Sequence, residues 1–354
     1  MVETKQISRL VNAFPFATGP KVWRYLFKTG KLFILLLWTG LIISGCGRHH
    51  TNHDISETGI KVAVLNGPSA LSIIKMMDDG RLDYHNLPVD FIIRNEPSQI
   101  KSLMFRNEVD FAFLPSTMAA VLYNNGIDYQ LVSVPLWGSM YLVGTLDSIR
   151  TLSGLKGSTV CQMGRGVVPD IVFRYILSAN HLVPDEDVMI SYNFPSHVEL
   201  ANAVRAGVAP LGILSEPQVS LILKQNGKAR VILDLAKEWD KVTGDSIPFA
   251  QTMVVVKRSL AEDHPDVVTN FIKEFNNNID WIKSHPNEAG GLMVHHKLLP
   301  DSAAAVASIP RCNLGYSNGP ELKKQVLSFY RILFDLNKDV LGGKVPDENF
   351  FCKE

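Results

Sequence analysis

From Gly59 onward, short apolar runs alternate with amphipathic segments, and this alternation limits the chain to an α/β fold rather than a bundle or a sandwich. The first run, Ile-Lys-Val-Ala-Val-Leu over 60–65, predicts a strand that Asn66-Gly67-Pro68-Ser69 breaks. Leu71, Ile74 and Met77 then fall at helical spacing until Gly80 stops the helix. A strand over 89–93, a helix over 98–107 and a strand over 110–114 follow. Pro115-Ser116-Thr117 turns the last of these into a helix over 118–124. After a strand over 130–134 and a turn at Trp137-Gly138, the run over 140–143 reads as a crossover strand.

A second β-α-β series then begins at Leu155-Lys-Gly157, with strands over 159–161, 188–192, 211–214 and 229–233 and helices over 169–178, 196–206 and 217–225. Ser196 and Glu199, three apart before an apolar helix, form a capping-box pattern. Residues 249–256 are strand-like again, and the remainder is mainly helical. Its clearest helix spans 265–284, where Val268, Phe271, Ile272, Phe275, Ile279 and Ile282 make one apolar stripe behind Pro265. A helical tail behind a second series predicts that the chain returns to complete the first lobe.

The chain has 354 residues, zero formal net charge and 46% hydrophobic content. No basic surplus points to nucleic acid. Cys161 lies in a strand-like apolar run and reads as a buried small hydrophobe, whereas Cys312 and Cys352 are a candidate disulfide. No CxxC or His-Cys cluster appears, and His295-His296-Lys297 lacks the acid of a zinc helix, so neither metal nor cofactor is expected.

The beginning of the chain reads as an address. Lys21, Arg24, Lys28 and Lys31 precede an apolar run over 32–43 that is shorter than the roughly 18 residues a membrane span needs. Ile43-Ser44-Gly45-Cys46 resembles a lipobox, which implies a lipoprotein signal peptide over 1–45 and a lipid on Cys46; an uncleaved signal anchor is the other reading. Residues 46–58 are polar and without periodicity, a linker in which His49, His50 and His53 read as solvated residues. The expected location is the cell envelope, on the outer face of the cytoplasmic membrane or the periplasmic side of the outer membrane.

Several short motifs in order resemble the substrate-binding proteins of the nitrate, taurine and thiamine-precursor group of ABC importers. They are Gly67-Pro68-Ser69 after the first strand, Val109-Asp110-Phe-Ala-Phe-Leu-Pro115 before an Ala-containing helix, Leu155-Lys-Gly157 opening the second series, Ser215-Glu216-Pro217 after a strand, and His264-Pro265 leading the late helix. The resemblance implies a type II periplasmic-binding-protein fold: two α/β lobes joined by two crossing strands around a ligand cleft. Lobe 1 would comprise 59–140 with 250–354, and lobe 2 141–249, with crossings near 138–144 and 245–251. It also implies an ABC permease with its ATPase as partner, a monomer, and no catalysis.

In that frame the first lobe offers Asn66, Gly67, Pro68, Ser69, Pro115, Ser116, Thr117, Gly138, Ser139 and Tyr141 to a small polar ligand, with Trp137 and Tyr141 available to stack on a ring. The second offers the glycine-rich turn Gly164-Arg165-Gly166 ahead of a helix, where backbone N–H groups and a dipole end favour an anion, together with Asn193, Phe194 and Glu216. Each has an ordinary alternative: strand-to-helix turns, core aromatics, a solvated Arg165, and a Glu216 that complements a helix dipole. The ligand could equally be an anion such as a sulfonate or a neutral, aromatic vitamin-like molecule. A ligand-sensing lipoprotein and an enzyme on the same fold are the competing functions, and an export leader weighs against the enzyme.

Overall fold

The computed structural model describes residues 59–353 apart from Pro195, Asp245, Ser246 and Asn318. The expected signal peptide, Cys46 and the linker histidines lie outside the described residues, as does one end of the second expected crossing.

Among the described residues, ten strands form two five-stranded sheets. The first contains β1 (Ile60–Leu65), β2 (Val89–Arg94), β3 (Phe111–Pro115), β4 (Tyr129–Trp137) and β10 (Ala250–Lys257) in the order β2-β1-β3-β10-β4. The second contains β5 (Met140–Gly144), β6 (Ser158–Cys161), β7 (Val188–Ser191), β8 (Leu211–Ser215) and β9 (Arg230–Asp234) in the order β7-β6-β8-β5-β9. β1, β2 and β3 are parallel, and β10 enters antiparallel to β3. β6, β7 and β8 are likewise parallel, with β5 antiparallel to β8. The chain passes between sheets twice, at Gly138-Ser139 and on the return into β10. The alternation of apolar runs is thus that of an α/β chain, and its two sheets match the two lobes with two passages between them that the resemblance implies.

The first sheet is buried on both faces because its strands supply apolar side chains to each. Phe111 and Phe113 point to the helix Pro265–Ser284, where the Phe111 and Phe271 rings stack with centroids 3.9 Å apart and Phe113 meets Phe275 edge-on at 5.6 Å. Ala112 and Leu114 belong to the opposite core, with Phe329 and Leu333 of the helix Gly319–Leu336. The expected stripe on the late helix is therefore the seam that holds it to the sheet: Val268, Phe271, Phe275, Ile279 and Ile282 are buried, and Ile272 is partly so.

At the crossing, Trp239 from the helix Leu235–Thr243 packs on Phe249 and Phe329 at centroid distances of 6.1 and 5.5 Å, and its indole N–H donates to Ile247 O at 2.6 Å. Gly138 needs to be glycine here. Its φ is 76°, and a Cβ would stand 2.7 Å from Ala236 Cβ and 2.9 Å from the Phe249 ring.

The candidate disulfide is not formed. Cys312 and Cys352 are free thiols, as is Cys161. Near Cys312, Leu314 bridges to Leu136, whereas Phe351 beside Cys352 bridges to Leu131. Five residues along one strand at about 3.3 Å each place these partners roughly 16 Å apart, well beyond the Cα separation of about 4.4–6.8 Å that a disulfide spans.

Candidate functional site

The strand directions bring the predicted loops together on two edges. In the first sheet, Leu65, Arg94 and Pro115 end β1, β2 and β3, Trp137 ends β4, and β10 starts beside Pro115 and Trp137. In the second sheet, Cys161, Ser191, Ser215 and Asp234 end strands on the same edge where β5 begins. Both edges adjoin Gly138-Ser139, so the carboxyl ends of two α/β sheets flank one crossing, the usual place for ligands in such sheets.

On the first edge, Asn66 is exposed and donates from its side-chain amide to Asn95 Oδ1 at 3.2 Å. Gly67 adopts φ 119°, ψ −142°, a conformation open to glycine, and Pro68 starts a short helix with Ser69 buried behind it. Ser116 and Thr117, expected in a turn, are instead the first residues of the helix Ser116–Asn124, with Pro115 as its N-cap. Ser116 is fully buried. Its carbonyl accepts from Tyr330 Oη at 2.7 Å, while its own Oγ has no hydrogen-bond partner within the protein.

The second edge carries a polar network. Asp170, buried near the start of the helix Val168–Ala179, accepts from Gly166 N at 2.7 Å, Tyr192 Oη at 2.6 Å and Arg174 Nε at 2.9 Å. Arg174 also donates to both oxygens of Asp185, whose carboxyl is held below its usual range chiefly by that contact. The Gly164-Arg165-Gly166 turn thus already presents one amide to a carboxylate of its own chain. Arg165 is 68% exposed, lies over the Tyr192 ring at 5.2 Å and reaches within 3.9 Å of Asp185. Asn193 is exposed and Phe194 half-buried beside them.

Gln162, one residue beyond β6, is 1% exposed, and neither its Nε2 nor its Oε1 has a hydrogen-bond partner within the protein. Sequence reasoning missed it, although the polar residue between an apolar run and Gly164 marks a strand's carboxyl end. His197 was missed as well. Its Nε2 accepts from Ser215 N at 3.2 Å and lies 2.9 Å from Ser215 Oγ, and burial pushes its pKa down.

Four predicted residues, Gly138, Ser139, Tyr141 and Glu216, sit at the crossing itself. Ser139 N donates to Gln251 Oε1 at 2.6 Å, and Asn313 Nδ2 donates to Gly138 O at 3.2 Å. Tyr141 is buried with its hydroxyl donating to Arg311 O at 2.7 Å, and burial raises its pKa. Glu216 is fully buried: Oε1 meets Arg311 Nε at 2.5 Å and Oε2 accepts from Ser220 N at 2.9 Å. Burial raises its pKa against the opposing pull of Arg311. Glu216 and Tyr141 are therefore engaged through their side chains with protein partners across the junction, whereas Ser139 is held by its backbone N–H and its Oγ is buried without a hydrogen-bond partner within the protein. A separate groove of about 490 Å³ runs along β9 between Arg150, Leu182 and Lys241, and none of the predicted residues lines it.

The family described as "ABC transporter, phosphonate, periplasmic substrate-binding protein" matches residues 57–292. The chain belongs to this family. A Bacillus subtilis protein named for aliphatic-sulfonate binding is 24% identical over 270 residues, covering 74% of this chain and 77% of that protein. Among solved structures, an ABC transporter protein from Parabacteroides distasonis is 28% identical with a TM-score of 0.73, covering 84% of this chain and 99% of that one. The periplasmic aliphatic sulphonate binding protein SsuA from Escherichia coli shares the fold at 15% identity and a TM-score of 0.64, over 78% of this chain and 87% of its own. Among the described residues, no helix is long and apolar enough to cross a membrane.

Proposed function

We propose that this chain captures a small polar solute between the carboxyl edges of its two sheets and delivers it, chemically unchanged, to an ABC permease and its ATPase. Aliphatic sulfonates and phosphonates are the first classes to test, given what the matched family and the Bacillus subtilis relative are named for. The lobes are 59–140 with 250–354, and 141–249. The protein acts as a monomer, not as an enzyme, and a lipid on Cys46 keeps it on the outer face of the cytoplasmic membrane or the periplasmic side of the outer membrane.

The observation that carries this reading is the set of buried polar side chains without protein partners on the two edges and at the crossing they flank: Gln162, Ser116 Oγ and Ser139 Oγ. An unsatisfied buried polar group costs about 1–3 kcal/mol, and a ligand that hydrogen-bonds to it removes that penalty. Direct ligand contacts are assigned to Gln162, Ser116, Ser139, Asn66, Gly164 and Arg165, while Glu216 and Tyr141 hold the junction between lobes.

The test is isothermal titration of methanesulfonate, longer alkanesulfonates, taurine and methylphosphonate into the parent protein and Gln162→Leu. The parent should bind one equivalent of at least one of these. Gln162→Leu should bind it at least about tenfold more weakly, yet be more stable without ligand by about 1 kcal/mol, since the replacement buries no polar group. Equal affinity in the two proteins would remove Gln162 from the site.

A further inference from the structure

We propose that Asp78, His295 and His296 form a binding site for a divalent transition-metal cation of the zinc type, on the first lobe and independent of the solute cleft. The sequence places a carboxylate and a histidine pair more than two hundred residues apart. The fold joins them, because the helix Ile74–Asp79 packs against the helices Pro265–Ser284 and Pro286–His295.

The ligand atoms of the three side chains lie within 4.8 Å of one another. His296 Nε2 is 3.1 Å from Asp78 Oδ1, and the two histidine rings meet edge-on with centroids 5.0 Å apart. The 3.1 Å contact is a hydrogen bond, and two atoms bonded tetrahedrally to one zinc ion at about 2.0–2.1 Å stand about 3.3 Å apart, so an ion can replace the shared hydrogen with little movement of the Asp78 and His296 atoms. Two imidazoles and one carboxylate are a donor set that first-row divalent ions from cobalt to zinc accept, with water in the remaining position.

The backbone under each ligand is fixed before any ion arrives. Behind His296, Lys297 takes a left-handed φ of 58°. Leu298 N donates to Met293 O at 2.9 Å, closing the helix with Met293 and Leu299 buried beneath it. Behind Asp78, Gly80 has φ 66° and its N–H donates to Met76 O at 3.0 Å. The neighbouring carboxylate, Asp79, is paired with Lys75, which leaves Asp78 facing the histidines. Asp78 and His295 are exposed and His296 is half-buried, so an ion can enter without displacing the core. Bound there, it would tie the ends of two helices together and stabilise the first lobe.

The experiment titrates Co²⁺ into the full chain, reading the visible d–d absorption, with Zn²⁺ as competitor. All proteins carry His49→Ala, His50→Ala and His53→Ala so that the linker histidines do not contribute. One equivalent should bind, zinc should displace cobalt, and saturating zinc should raise the melting temperature. Asp78→Asn, His295→Ala and His296→Ala should each weaken binding at least tenfold and abolish the zinc-dependent rise, with unchanged circular dichroism. Unchanged affinity and stoichiometry in these variants, or no saturable binding by the parent, would overturn the site. Solute binding should be the same with and without zinc, so this result and that of the cleft stand or fall separately.

Discussion

Glu216 and Arg311 show how unequal the two halves of an ion pair can be. Glu216 is fully buried, whereas the Arg311 side chain is 34% exposed, so removing the cation strands a buried charge and removing the anion leaves a guanidinium that water can still reach. Arg311→Ala should therefore destabilise the protein by about 3 kcal/mol and Glu216→Gln by about 1 kcal/mol, measured by chemical denaturation at pH 8. The pH dependence follows from the direction of the Glu216 shift. Burial raises its folded pKa, and without Arg311 nothing at that carboxylate opposes the rise except the Ser220 contacts. A carboxyl whose folded pKa exceeds its unfolded one favours folding when protonated and loses that contribution as pH climbs through the folded value. The deficit of Arg311→Ala should thus shrink between pH 8 and pH 5.5. A deficit that grows with acid would mean that Glu216 is not the group responsible. None of this was legible in the sequence, because the partners are 95 residues apart and Arg311 follows Ile309-Pro310 with no periodicity to mark it.

At the scale of elements, legibility tracked apolar content. The strand Ile60–Leu65 and the helix Pro265–Ser284 were readable to the residue, one because a Gly-Pro step ends it and the other because its stripe is continuous. The helix Leu235–Thr243 went unread: its sequence is rich in Lys, Glu and Asp, and it buries only Leu235 and Trp239. Ser116 and Thr117 have the chemistry of turn residues, but the helix starts directly after Pro115 and both are buried in its first turn. The unread helix nevertheless supplies the aromatic centre of the crossing. Trp239→Ala should cost about 3–5 kcal/mol, the range for emptying a large buried aromatic site, as a lower urea midpoint. A change below about 1 kcal/mol would show that Phe249 and Phe329 hold the junction without it.

For the whole molecule, the candidate cleft is a consequence of topology. Two sheets whose parallel strands end at one crossing bring loops from distant parts of the chain to a common boundary, and the sequence could identify those loops because each follows an apolar run. It could not say which of their side chains are taken up by partners of their own, as Glu216 and Tyr141 are, and which are buried without a partner within the protein, as Gln162 is. The most direct measurement is hydrogen–deuterium exchange on the full chain with and without a saturating alkanesulfonate or phosphonate identified by titration. The account predicts added protection on both edges together, in peptides covering 66–69 and 115–118 of the first sheet and 162–167 and 193–197 of the second. Protection confined to one sheet, or to the groove between Arg150 and Lys241, would contradict it.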